Sequence, residues 1–229
     1  KDLQSRGVND MIVDLRYNRG GYVSTQDTLA NMLAPANVGR GKNLMYTYQF
    51  NQKYSKSNIK TLWYKTPEIN LNLTRIVFIV TPATASASEL LINNLKPVMN
   101  VKLVGETNTF GKPVGFFPIP VFQYNIYPVS FKTVNSAGST DYFSGFPVDK
   151  KTVDDLTRDF GDVNESSLKE ALNYMGTGAF TAVTQKRLLT TTGLTEEDLT
   201  KANNEINKYV PKIEIENRLD KMPAGIRDL

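Results

Sequence analysis

The sequence predicts a mixed α/β fold with an antiparallel portion, and three observations carry that expectation. Two apolar runs of strand length, at 11–15 and 75–80, each pass through a turn of small residues into a segment with helical spacing. A third run, "VKLVGE" at 101–106, follows the second helical segment, so strand and helix alternate as in a sheet covered by helices. Beyond it, "PIPVFQYNIYPVSF" at 118–131 is β-rich and broken by prolines, which suits short antiparallel strands.

In chain order, a polar helical lead-in precedes the strand "MIVDL", which ends in the turn-rich "RYNRGGY". Residues 24–34 then show an N-cap serine and apolar residues at helical spacing, stopped by Pro35. "LMYTYQF" at 44–50 alternates as a half-buried strand, whereas 51–60 is polar enough for an exposed loop. "RIVFIV" reads as a buried strand, and "SELLINNL" at 88–95 as the helix after it. From Lys150 the character shifts to charged helical segments. One lies at 164–175 with an Asn cap, the other at 194–210 with Thr195 as N-cap and acidic residues in its first turn. The expected division is a core over 1–180 and a helical extension over 181–229.

The 229 residues, 40% hydrophobic and 22% charged, have the composition of a soluble globular chain. No apolar stretch approaches the roughly 20 residues that cross a bilayer. The net charge of +4 comes from scattered Lys and Arg, which argues against a nucleic-acid surface. There is no cysteine and no histidine, so disulfides, thiolate sites and imidazole bases are excluded. No cofactor is implied.

"TPATASASELLINNL" at 81–95 places Ser86 and Ser88 where a strand turns into a helix. A serine in such a turn can present its hydroxyl beside the first free N–H groups of the helix, the logic of a nucleophile elbow. The plainer alternative is a serine N-cap that starts the helix. A nucleophilic serine needs a base, here Lys, Asp or Glu. Lys112 sits among Phe110, Val114, Phe116 and Phe117, and burial there would favour its neutral form, against the plainer reading of an exposed lysine. "VKLVGETNTFGKP" is discounted as a phosphate-binding loop, because the glycine spacing is one residue too long and Pro113 stands where Ser or Thr would hold Mg²⁺. Trp63 and the tyrosines of 46–64 could line a cleft, but aromatic residues more often pack in a core.

Taken together, "VNDMIVDLRYNRGGY", "ATASASELLINNL" and "LVGETNTFGKPVG", in this order and spacing, resemble the C-terminal processing peptidases, the tail-specific serine proteases. "SGFPVDKKTVDDL" resembles the segment that closes their domain. The resemblance implies a crotonase-like, Clp protease-like α/β core. It implies Ser86 as nucleophile and Lys112 as general base, acting on polypeptides near their C-termini through an acyl-enzyme. It gives the oxyanion hole to the Ala87 N–H and to Gly20 or Gly21, and leaves Asp14, Arg16 and Asn18 to fix the loop. The compartment implied is the bacterial cell envelope, periplasmic or membrane-anchored, with the export signal removed. Many relatives carry a glutamine four residues beyond the lysine, where this chain has Phe116. A PDZ-like segment is usual upstream, so the chain is expected to begin inside the protease domain. The alternatives are a non-catalytic peptide-binding or scaffold module of the same fold, and acyl-thioester chemistry with the same oxyanion hole but no Ser/Lys pair.

Overall fold

The computed structural model describes residues 1–182. A single helical turn, α1 (Asp2–Ser5), precedes β1 (Asp10–Asp14), and a glycine loop leads on to α2 (Val23–Leu33). An antiparallel pair follows, β2 (Leu44–Gln49) and β3 (Ile59–Leu62), joined through a 3₁₀ turn at Gln52–Ser57. β4 (Arg75–Val80) turns into α3 (Ala87–Leu95), and β5 (Asn100–Gly105) comes next. Short strands β6 (Val114–Phe116), β7 (Ile119–Val121) and β8 (Tyr124–Ile126) precede β9 (Val129–Asn135). β10 (Lys150–Lys151) and α4 (Ser166–Thr177) follow. The helix expected at 194–210, with its Thr195 cap, lies outside the described residues.

β1, β4, β5 and β10 form a parallel sheet in the order β1-β4-β5-β10. A second, antiparallel sheet runs β3-β2-β9-β6, and β7 and β8 pair as a separate hairpin whose tip residue Phe122 is fully in solvent. β4 shows why its sequence is unbroken apolar after Arg75. Ile76, Phe78 and Val80 pack into one core with Leu90, Leu91 and Leu103, while Val77 and Ile79 pack with Val104 and with Ala171 and Tyr174 of α4. Both faces of the strand are therefore dry, the condition under which a strand reads as an unbroken apolar run. Each such side chain contributes about 1.5–3 kcal/mol on burial.

The helix ends follow local chemistry. α2 stops where Ala34 takes an extended conformation ahead of Pro35, whose ring excludes the helical region for the preceding residue. α4 departs from expectation: its cap is Glu165, not Asn164, and the Glu165 carboxylate accepts from the N–H groups of Ser167 and Leu168 at 3.0 and 2.8 Å. At its other end Gly178 takes the left-handed conformation that closes a helix. Trp63, Tyr46 and Tyr48 are buried in the larger core, as the packing reading of these aromatics expected. The polar 51–60 segment is a 3₁₀ turn that already enters β3 at Ile59.

Candidate active site

Two loops meet at the C-terminal ends of β1 and β4, the end of a parallel sheet where ligand sites gather. The first is held by Arg16. Its guanidinium grips Asp14 through Nε and Nη2, the latter at 2.7 Å, and Nη1 reaches Asp154 at 2.9 Å and Glu165 at 3.3 Å. Burial works against this charge, but the bonds to Asp14 and the fields of Glu165 and Asp154 more than offset it and raise the guanidinium further above its usual range. The Tyr17 hydroxyl donates to Asp154, and burial followed by that bond pushes the phenol up. Asn18 then ties this loop to the second one. Its Oδ1 accepts from the Gly20 N–H and the Ser88 hydroxyl, both at 3.0 Å, and its carbonyl accepts from the Ala85 N–H.

Against that bracket sits Ser86. It has φ 62° and ψ −116°, a conformation outside the regions open to side-chain-bearing residues and costing about 1–3 kcal/mol. Its Oγ is buried in the N-cap place of a capping box, turned toward the Glu89 N–H, without a hydrogen bond of good geometry to any described residue. Gly20 explains how the loops close so tightly: a Cβ there would lie 2.6 Å from the Ala87 nitrogen and 2.8 Å from the Ala85 oxygen. At Gly21 a Cβ would meet nothing within 4 Å, so this glycine faces open space. Because the Gly20 N–H is already given to Asn18, Gly21 is the better placed of the two to serve a ligand.

The residue that joins the serine to the lysine was not among the expected site residues. Glu89 is fully buried in α3, and its carboxylate receives four donors. Oε2 accepts from the N–H groups of Ser86, at 3.0 Å, and Lys112, at 2.8 Å. Oε1 accepts from the Gly111 N–H at 2.7 Å and the Thr109 hydroxyl at 2.6 Å. Burial pushes the Glu89 carboxyl above its usual range, and the bonds from Thr109, Lys112, Gly111 and Ser86 oppose that rise. The signal for Glu89 was present, since it stands three residues after Ser86, where a capping acid belongs. Here the acid bonds the serine's N–H and reaches outward as well.

Lys112 is half-buried, and its Nζ lies 5.1 Å from the centre of the Phe116 ring. Of the neighbours expected around it, Phe117 is fully buried in the core and Phe110 is 53% exposed, so Phe116 is the ring that meets the amine. Among the five residues expected to form the site, Ser86, Ala87 and Gly20 are in mutual van der Waals range, and Lys112 joins Ser86 through Glu89.

The sequence model of peptidase family S41 matches residues 1–131, more than half of the chain. The chain belongs to peptidase family S41. Over 110 residues it is 34% identical to the carboxy-terminal processing protease CtpA of Bacillus subtilis (strain 168), a stretch that is 48% of this chain and 21% of that protein. A solved structure from Bacteroides fragilis NCTC 9343 assigned to the S41 proteases superposes with a TM-score of 0.69 at 31% identity, covering 78% of this chain and 47% of that one. The photosystem II D1 C-terminal processing protease shares the fold at a TM-score of 0.51 and 22% identity, over 66% of this chain and 36% of its own. This S41 chain thus spans about half the length, or less, of these relatives. The α/β core expected from the resemblance is the one these proteins share.

Proposed function

We propose that the chain is the catalytic part of a serine endopeptidase that cleaves polypeptides toward their C-termini with a Ser86/Lys112 dyad. One observation carries this reading. Ser86 and Lys112, 26 positions apart, give their backbone N–H groups to the same oxygen of one buried carboxylate. That arrangement fixes a strained serine and a lysine as parts of one unit, which a plain helix cap does not require.

In the reaction, Ser86 Oγ attacks the scissile carbonyl carbon while the neutral Lys112 amine takes the hydroxyl proton. The carbonyl oxygen becomes an oxyanion, which the Ala87 N–H at the head of α3 and the Gly21 N–H would stabilise. Collapse breaks the peptide C–N bond as Lys112 returns the proton to the leaving amine, and an ester of Ser86 remains. Water then adds to that ester, Lys112 accepts its proton, and the acid product departs with the serine hydroxyl restored. An extended substrate can pair as a strand at a sheet edge, a mode that depends on backbone rather than side chains. The setting we propose, from the resemblance to the tail-specific proteases, is the bacterial cell envelope, and the matched processing protease is itself bacterial. No helix among the described residues is long and apolar enough to cross a membrane.

A non-catalytic peptide-binding role draws support from a different observation: the Lys112 Nζ rests on a ring while Ser86 Oγ lacks a hydrogen-bond partner among the described residues. Covalent labelling by a fluorophosphonate separates the two. Ser86→Ala is expected to abolish labelling and Lys112→Ala to slow it by about 10²–10⁴-fold, the usual worth of a proton acceptor. Labelling unchanged in both variants overturns the peptidase reading.

A further inference from the structure

We propose that Phe116 is a positioning residue for Lys112: its ring holds the amine in place and stabilises the positive charge that the amine acquires on taking a proton. The proposal rests on the Ser86/Lys112 reading and adds the group that steadies the base.

The ring is itself well held. Phe116 is 5% exposed, and the Tyr127 ring meets it edge-on, with centroids 5.7 Å apart and planes at 77°. The β6–β9 ladder slips at this point. Gly115 pairs with Phe131 but Phe116 pairs with Val129, which leaves Ser130 as the extra residue. Such a bulge sharpens the local twist and re-aims a side chain, and it is fixed here by the Ser130 hydroxyl. That hydroxyl donates to the Pro128 carbonyl at 2.8 Å and accepts from the Phe117 N–H at 3.2 Å.

Lys112 is consequently held at both ends. Its backbone N–H is fixed on Glu89 Oε2, and its Nζ lies over the Phe116 ring. A lysine stem otherwise explores many rotamers, and a restrained one has less ordering entropy to lose when the reaction begins. Charge makes the contact more than packing. The negative face of an aromatic ring attracts an ammonium strongly and a neutral amine weakly. The interaction therefore strengthens as Lys112 accepts the serine proton, and only an interaction that grows toward the transition state speeds the step.

The test keeps the ring's shape and drains its charge. Phenylalanines carrying one to five fluorines are placed at position 116 of the full chain, and the fluorophosphonate labelling rate is followed across pH and compared at its maximum. The expected result is a stepwise fall reaching roughly 2- to 30-fold, with an unchanged Tm. Where a fluorinated chain melts lower, F116Y and F116L carry the same contrast: the variant that retains a ring keeps the rate, and the leucine variant loses it. Rates indifferent to fluorination, or equal in F116Y and F116L, while Lys112→Ala remains impaired, overturn the role of Phe116 and leave the dyad standing. A Lys112→Ala chain that labels like the wild type overturns the dyad itself, and the positioning role with it.

Discussion

A carboxylate with no access to water survives in a fold only if donors replace its hydration, and Glu89 has four of them. Every one is an N–H or O–H pointing inward, so an amide at this position must turn its own NH₂ toward a donor. Glu89→Gln is expected to cost about 3 kcal/mol, the scale of two charge-assisted hydrogen bonds, and to slow labelling about 10- to 100-fold because both residues of the proposed dyad lose their common anchor. Denaturant melts and labelling rates measure the two effects. The pH dependence has a definite sign. Burial raises the Glu89 carboxyl above its usual 4.5, so just above that pH the native chain keeps a proton that the unfolded chain has released. The unfolded state then binds fewer protons, and this group's share of the stability falls as pH rises through the window. The stability advantage of wild type over Glu89→Gln should accordingly shrink with rising pH from about 4.5 upward and then level off; an advantage that grows across that window contradicts the burial argument. The sequence showed Ser86 and Lys112 through their motifs, but Glu89 stood only where a capping acid belongs, because the donors from Thr109, Gly111 and Lys112 arrive from the loop between β5 and β6, 20 or more residues away.

At the scale of elements, legibility followed the number of buried faces. β4 coincides with the expected 75–80, because two dry faces leave every position after Arg75 apolar. β3 went unseen because 51–60 is polar, and its one aliphatic residue, Ile59, marks the strand's first position. The cap of α4 was misread for a physical reason. Asn164 is a favoured cap residue, but here its N–H and side-chain amide both donate to Asp162, and Glu165 offers two oxygens to two helix N–H groups. The glycine loop was legible as a loop, whereas the unequal duties of its two glycines were not. Gly20→Ala drives a Cβ into the Ala87 N–H at a φ of +95°. It is expected to destabilise the fold by about 1–3 kcal/mol, with labelling lost as the elbow is pushed away. Gly21→Ala meets no atom within 4 Å, so it carries only the strain of its φ of +152° and should cost less than Gly20→Ala. Thermal melts of the two variants decide, and equal losses would argue against the tight seam at Gly20.

Over the whole molecule, α4 fastens the far face of the parallel sheet from several directions. Arg75 of β4 donates to the Met175 carbonyl while gripping Asp10 of β1, and Asn100 of β5 donates to the Tyr174 hydroxyl. At the other edge, Lys150 of β10 is 8% exposed along its side chain and donates to the Thr181 carbonyl at 2.6 Å and the Thr181 hydroxyl at 3.1 Å. Thr181 is held in turn by Glu170 of α4, and the Phe180 ring stacks on Tyr174 with centroids 4.6 Å apart. The chain just past α4 is thus part of the core's closure, and the proposed boundary between core and extension near 180 falls at its edge. Two shortened chains place that boundary. One ending after residue 182 keeps the whole clasp and should melt within a few degrees of the full chain. One ending after Gly178 strips Lys150 of its Thr181 partners, leaves only Glu170 at 3.7 Å, and removes the stacked phenylalanine. A buried ammonium deprived of hydrogen bonds costs about 1–3 kcal/mol, so this chain should melt roughly 5 °C lower than the first. If the chain ending after residue 182 already melts as low as the shorter one, the core extends past 182 and the division near 180 is wrong.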